Sequence, residues 1–404
     1  MWEGQSAAMN GCAMRRWRFP CLLALLSLSS LCVASDDLTR GTSLVVDANR
    51  IYAELAFVRP DGTVRKALAF VDLGSPSMIL SEALFKELQL DRKKSLTFNV
   101  GGMPIQIDSK IVTSESWLPF QIGGNEEVEA LLPAGVLQNY EVIIDYRQHT
   151  LTVAGPRSVK PQGFPVPIRI NEKTGLIAVD ATINGKIYPL TIDCGSGYTW
   201  LRKATVQEWL ATHPDWRRGV GAVGVSNMRM ADDGIEATGT IVRIPGIRLG
   251  TLELKNVGVL AIGPSRENWD LIEWYSEKNA MPVIGWLGGN VLRGFRITID
   301  YPNRMSYWLA QSALDSHDLD QVGLTLESRS GEYFVAAIAT KDGKATVEGV
   351  QAGDKLLKID SLPTKGVTRS EILFALHGDP GDVRTLLLER NSRQFTVKAK
   401  ITAF

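Results

Sequence analysis

A four-residue unit, Asp-x-Gly-Ser, occurs twice at matching places in an internal duplication, and no other feature of the chain constrains its fold as tightly. The copies are Asp72-Leu73-Gly74-Ser75 and Asp193-Cys194-Gly195-Ser196. Each follows two strand-like runs joined by a turn. In the first copy the runs are 51–58 and 67–71, joined at Asp61-Gly62. In the second they are 176–183 and 188–192, joined at Asn184-Gly185. Asp-Gly and Asn-Gly between apolar runs predict two-residue hairpins. A short helical stretch follows each tetrad, over 81–88 and 203–210. Further on, 136–146 aligns with 291–301, with five of eleven positions identical, and both segments end in Ile-Asp-Tyr. A strand follows each after a turn, at 150–153 and 305–308.

The duplication predicts two β-rich halves, about 36–160 and 161–310. The second is longer, with 107 residues from tetrad Asp to Ile-Asp-Tyr Asp against 73 in the first. A twofold packing of the halves would bring Asp72 and Asp193 face to face. Two carboxylates about 3 Å apart cannot both ionise, so they share a proton and can hold a water. One then acts as base toward the water while the other protonates a substrate carbonyl. Gly74 and Gly195 let the backbone turn tightly behind each acid. Ser75 and Ser196 are expected to hydrogen-bond the carboxylates and fix their orientation. A lone Asp-x-Gly-Ser is often only a surface turn. Two in one duplicated frame, each after a buried-looking strand, point to chemistry.

The chain of 404 residues carries 44 basic and 44 acidic side chains, which gives no electrostatic footprint for nucleic acid. Four histidines and four cysteines leave little for a transition-metal site. Three of the cysteines fall in the first 34 residues, where Arg15, Arg16 and Arg18 precede an apolar run over 19–34. That pattern predicts an export leader. Its removal leaves 41 basic and 43 acidic residues and the single Cys194, so no internal disulfide is expected. Trp200, Trp209, Trp216, Trp269, Trp274 and Trp286 read as core and cleft wall. Gly101-Gly102 reads equally as the tip of a flap or as a plain hairpin turn. None of the histidines stands in a pattern that would make Cys194 a nucleophile.

From about residue 322 the pattern changes to short strands, a helical stretch over 368–376 and two closing strands, a compact unit of about 85 residues. The polar, acidic stretch 315–320 reads as a linker. Deleting 319–404 is therefore expected to leave a folded core.

Residues 45–310 resemble a bacterial aspartyl protease of the retropepsin/pepsin type with both lobes in one chain. The two tetrads carry the likeness, together with Trp286-Leu287-Gly288, Val291-Leu292 and Ile299-Asp300-Tyr301. The last segment resembles a PDZ domain through Gly323-Leu324-Thr325-Leu326 and the 353–360 run. The resemblance implies a mainly β fold: two duplicated acid-protease-like lobes with an interlobe cleft, plus a small C-terminal PDZ-like α/β domain. Its boundaries would be 1–34 for the signal peptide, 35–160 and 161–318 for the lobes and 319–404 for the last domain.

The implied activity is peptide-bond hydrolysis by Asp72 and Asp193, supported by Gly74, Ser75, Gly195 and Ser196, without metal or other cofactor. Gly323, Leu324, Thr325, Leu326 and Leu373 would receive a peptide end, with Ile372 and Leu376 on the same groove. Polypeptide substrates or C-terminal peptides are the implied partners. An exported location, periplasmic or secreted, follows, without stable membrane insertion after leader cleavage. The alternative is a non-catalytic peptide- or protein-binding chain with a degenerate protease fold. Two departures stand out. The family places Thr or Ser where this chain has Leu73 and Cys194, so the hydroxyl bracing between the acid loops is expected to be missing. Both side chains should instead be buried together beneath the acids. The family's downstream glycine is present as Gly288 but is replaced by Pro133 in the first copy.

Overall fold

The computed structural model describes residues 41–91, 94–118, 120–123, 126–221, 224–225, 233–264 and 269–404. The expected leader lies outside these residues. The chain is mainly β. The strands fall into three hydrogen-bonded sheets.

Local sequence explains the elements that carry the tetrads. In strand Arg50–Val58, Ile51, Ala53, Leu55 and Phe57 alternate into one core while Glu54 faces solvent. That strand turns back as Val64–Asp72, with Val58 opposite Val64. The turn is longer than expected from Asp61-Gly62. Pro60 would flank a two-residue turn at Asp61-Gly62, and it has no N–H to close the pair with Thr63. The chain instead closes through Arg59 and Thr63, with Gly62 at φ 84°. The second copy makes the expected two-residue turn: Ile183 pairs with Lys186, and Asn184 and Gly185 sit at φ 50° and 74°.

Each tetrad-bearing strand gains a parallel neighbour from later in its own half. Asp72 lies opposite Pro133 of strand Glu126–Pro133, and Ile192 lies opposite Leu287 of strand Gly285–Leu287. Helix Glu82–Glu87 starts at Ser81, whose hydroxyl accepts from the Leu84 amide. Its counterpart is Lys203–Thr212.

The two Ile-Asp-Tyr strands meet each other. Glu141–Asp145 pairs antiparallel with Phe295–Asp300, and Ile143 sits directly opposite Thr298. These two residues are also equivalent in the sequence repeat. An antiparallel pair centred on repeat-equivalent residues defines a local twofold axis, which is the operation that brings equivalent loops together. The hairpin Thr240–Leu249 with Leu252–Ile262 has its counterpart in Ser95–Val100, Met103–Asp108 and Val112–Glu115, so the extra length of the second half falls between helix Lys203–Thr212 and that hairpin and at helix Leu271–Lys278.

The C-terminal segment has its own sheet and core, built on Leu324, Leu326, Tyr333, Val335, Leu356, Ile372, Leu376, Leu386 and Leu388. Its helix Arg369–Leu376 opens with a complete capping box between Thr368 and Glu371. The stretch 315–320 is not a solvated linker. Asp318 is buried and paired with Arg243 at 2.7 Å, and Asp320 is buried and accepts from the Phe404 amide at 3.0 Å. The Phe404 ring packs in a core with Ile235, Ile241, Leu260 and Leu319. Acidic composition suggested a solvated connection, but each carboxylate has a fixed partner that makes its burial affordable. Among the described residues no helix is long and apolar enough to cross a membrane.

Candidate active site

The tetrad loops repeat one another bond for bond. The Gly74 amide donates to Asp72 Oδ1 and the Gly195 amide to Asp193 Oδ1, both at 2.8 Å. The carbonyl of Ser75 accepts from the Ala134 amide at 3.0 Å, and that of Ser196 from the Gly289 amide at 2.7 Å. The loops face each other across the twofold. A Cβ on Gly74 would lie 2.8 Å from Asp193 Oδ2, and one on Gly195 would lie 2.5 Å from Asp72 Oδ1. Both glycines are therefore required by the opposite acid as well as by their own turn. The Asp72 and Asp193 carboxyls hydrogen-bond one another.

The serines behave differently from expectation. Ser75 Oγ donates to the Ser77 carbonyl at 3.3 Å and Ser196 Oγ to the Tyr198 carbonyl at 2.8 Å. Each hydroxyl closes its own loop over two residues, as serine does in local turns. The carboxylates are oriented by the glycine amides instead.

The position after each acid is buried, as expected for Leu73 and Cys194. The expected loss of bracing is only half true. Cys194 Sγ donates to the carbonyl of Val71, in the strand that carries the opposite acid, at 3.2 Å, so a thiol spans the gap between the two halves. Leu73 packs in the surrounding apolar core. Burial, with the negative field of Asp193, pushes the Cys194 thiol well above its usual range.

The Pro133 departure has a local reason. Gly288 donates its amide to Thr199 Oγ1 at 3.2 Å, and its α-carbon lies against the Tyr198 carbonyl, where a Cβ would come to 2.0 Å. In the first half the strand matching Thr199–Arg202 is Met78–Ser81, so Met78 stands where Thr199 does. Without that hydroxyl no amide is needed, and Pro133 fits at φ −94°.

Two further groups at the site are absent from the sequence reading. Tyr275, on helix Leu271–Lys278, donates its hydroxyl to Asp193 Oδ2 at 3.3 Å. Its ring packs against Trp286 at 4.6 Å and Trp274 at 5.1 Å between centroids. A Cβ on Gly74 would sit 2.6 Å from that hydroxyl, so the glycine makes room for both Asp193 and Tyr275. Arg50, fully buried, donates Nε to the Gly195 carbonyl at 3.0 Å. Tyr275 lies in the unduplicated part of the second half, so the repeat gives no sign of it. Arg50 opens its strand after a turn, where a charged residue ordinarily reads as solvated.

The electrostatics follow from burial. Asp72 is 3% exposed and Asp193 2%. Burial, then the charge of its partner, holds Asp72 well above the usual carboxylate range. Burial also raises Asp193, opposed by hydrogen bonds from Asp72, Gly195 and Tyr275. Arg50 pulls both acids downward. Burial and mutual repulsion therefore oppose ionisation of both acids at once, and Tyr275 favours charge on Asp193.

The remaining expected positions lie elsewhere. Gly101-Gly102 closes a two-residue hairpin whose Leu96, Phe98, Val100 and Ile105 are core residues. Among the tryptophans, Trp200, Trp209, Trp216 and Trp286 are buried, while Trp269 is exposed. In the C-terminal sheet, Gly323 takes φ 85° at the head of strand Leu324–Arg329. Leu324, Thr325 and Leu326 are buried, as are Ile372 and Leu376, and Leu373 is half-buried. The edge of that strand is taken by the chain's own Gly224–Val225, which pairs with it in parallel. Ile372 and Leu376 therefore serve the core and do not line an open groove. Among the described residues no cluster of His, Cys, Asp or Glu is placed to hold a metal ion.

Comparison of the chain with protein-family models gave no match, and comparison with curated proteins gave none.

Proposed function

We propose that the chain is an aspartic-type endopeptidase in which Asp72 and Asp193 hydrolyse peptide bonds through an activated water. One observation carries this reading: acids from equivalent places in a duplicated sequence meet in a buried centre and share a hydrogen bond, each held by its own glycine amide. Buried carboxylate pairs are costly, and nothing in the packing of the halves requires one. On this reading the halves are acid-protease-like lobes, the C-terminal segment is PDZ-like, and the leader sends the protein out of the cytoplasm.

The surroundings divide the roles. Asp193, which accepts from the Tyr275 hydroxyl and is stabilised by it as the anion, is the base, and Asp72 carries the shared proton. Asp193 takes a proton from water as the water oxygen bonds to the peptide carbon. Asp72 gives its proton to the carbonyl oxygen, forming a tetrahedral diol. Asp193 then passes its proton to the amide nitrogen, the C–N bond breaks as one hydroxyl of the diol gives its proton to Asp72, and the pair again holds one proton. Both acids are buried, and Tyr275 covers Asp193 through its hydroxyl, so hydrolysis requires the side chains over the pair to move for a polypeptide to reach it. Peptide reading at strand Leu324–Arg329 similarly requires Gly224–Val225 to leave its edge.

Incubating the full-length protein with a denatured protein and sequencing the fragments by mass spectrometry tests the reading. New internal termini are expected. Tight binding of the denatured chain with no new termini would favour the non-catalytic binding alternative.

A further inference from the structure

A buried path of charge joins the C-terminal segment to the acid pair. Asp47, Arg50 and Arg369 are all buried. Arg369 and Ser370 begin the helix Arg369–Leu376. The Ser370 amide donates to Asp47 Oδ1 at 2.8 Å, Arg369 Nη1 lies 3.6 Å from Asp47 Oδ2, and the Ala48 amide donates to Ser370 Oγ at 2.8 Å. Three residues beyond Asp47, Arg50 donates to the carbonyl of Gly195, the residue whose own amide holds Asp193. The titratable and charged groups that face Arg50 are Tyr52, Arg369, Glu236 and Asp47, together with Tyr198 and the two acids of the site.

A buried carboxylate needs a cation, and breaking a buried pair leaves a charge that its neighbours must answer. While the Ser370 amide bonds Asp47 Oδ1 and the Arg369 charge stands beside Asp47 Oδ2, Arg50 is left to hold the Gly195 loop. Without Arg369, Arg50, which already feels the charge of Asp47, is the cation left to answer it and is drawn away from Gly195. We propose that Arg369 and Ser370 position Asp193 through Asp47 and Arg50, so that the C-terminal helix is part of what sets the acid pair. Anything that shifts this helix shifts Asp47. The effect on rate rests on the proteolytic reading, but the effect on the acids does not.

The test titrates the two aspartates by carboxyl carbon NMR in the full-length protein, alongside cleavage of a denatured protein. Arg369→Gln is expected to raise the Asp193 midpoint by about half a pH unit or more, because Arg50 no longer lowers it. It should also slow cleavage several-fold. Arg369→Lys should stay near wild type, and Asp47→Asn combined with Arg369→Gln should recover much of the shift by releasing Arg50. Ser370→Ala keeps the amide on Asp47 but loses the hydroxyl that holds the neighbouring Ala48 amide, so it gives a smaller shift in the same direction and serves if Arg369→Gln does not fold. Unchanged midpoints in both Arg369→Gln and Ser370→Ala would overturn the proposal, even with slower cleavage. Shifted midpoints in a protein whose wild type cuts nothing would leave the coupling standing and remove the proteolytic reading instead.

Discussion

Asp72 and Asp193 are poor residues for stability where they stand, and that cost is measurable. The folded midpoint of Asp72 lies above its unfolded value, so the folded state binds more protons in the interval between them. Stability therefore falls as pH rises through that interval, starting from the ordinary carboxylate value of about 4. Asp72→Asn should melt at a higher temperature than wild type at pH 7, with the gap closing as pH falls toward 4, as read by calorimetry. Tyr275→Phe removes a donor to Asp193, so the acidic limb of the cleavage profile should move to higher pH. Native protein should resist thiol alkylation at Cys194, whereas unfolded protein should react fully. Cys194→Ser should cost no more than about 1 kcal/mol, since a hydroxyl can donate to the same Val71 carbonyl. The acids, the glycines and the burial of Leu73 and Cys194 were legible because the sequence states them twice or by contrast with a known pattern. Tyr275 and the true partners of the serines were not. A single-copy residue has no repeat to betray it, and a serine hydroxyl's partner is set by loop geometry.

At the scale of elements, alternation and turn chemistry placed the strands well, and local exceptions had local causes. Asp61-Gly62 and Asn184-Gly185 look alike in sequence, yet Pro60 beside the first changes the turn. Gly288 and Pro133 occupy matching places, yet the hydroxyl of Thr199 makes one an amide donor while Met78 frees the other from that need. Gly288→Ala would drive a methyl group to 2.0 Å from the Tyr198 carbonyl. Relief requires backbone movement, so the variant should lose several kcal/mol or fail to fold, on the order of 3 kcal/mol or more by chemical denaturation.

At the scale of the whole molecule, the duplication announced itself, but the attachment of the last segment did not. Composition marks 315–320 as polar, while burial depends on partners brought from Arg243 and from the far terminus, which no local pattern encodes. Deleting 319–404 should therefore expose the core around Leu260 and Ile241, where Phe404 packs, and leave an insoluble or partly folded chain. Light scattering and circular dichroism of the truncated protein would show this. The central claim is that both acids act together in one hydrolytic step. Its most direct test compares wild type, Asp72→Asn and Asp193→Asn for cleavage of one denatured protein from acid to neutral pH. The account predicts cleavage by wild type alone, with both variants folded and inactive. Substantial cleavage by either single variant would contradict it.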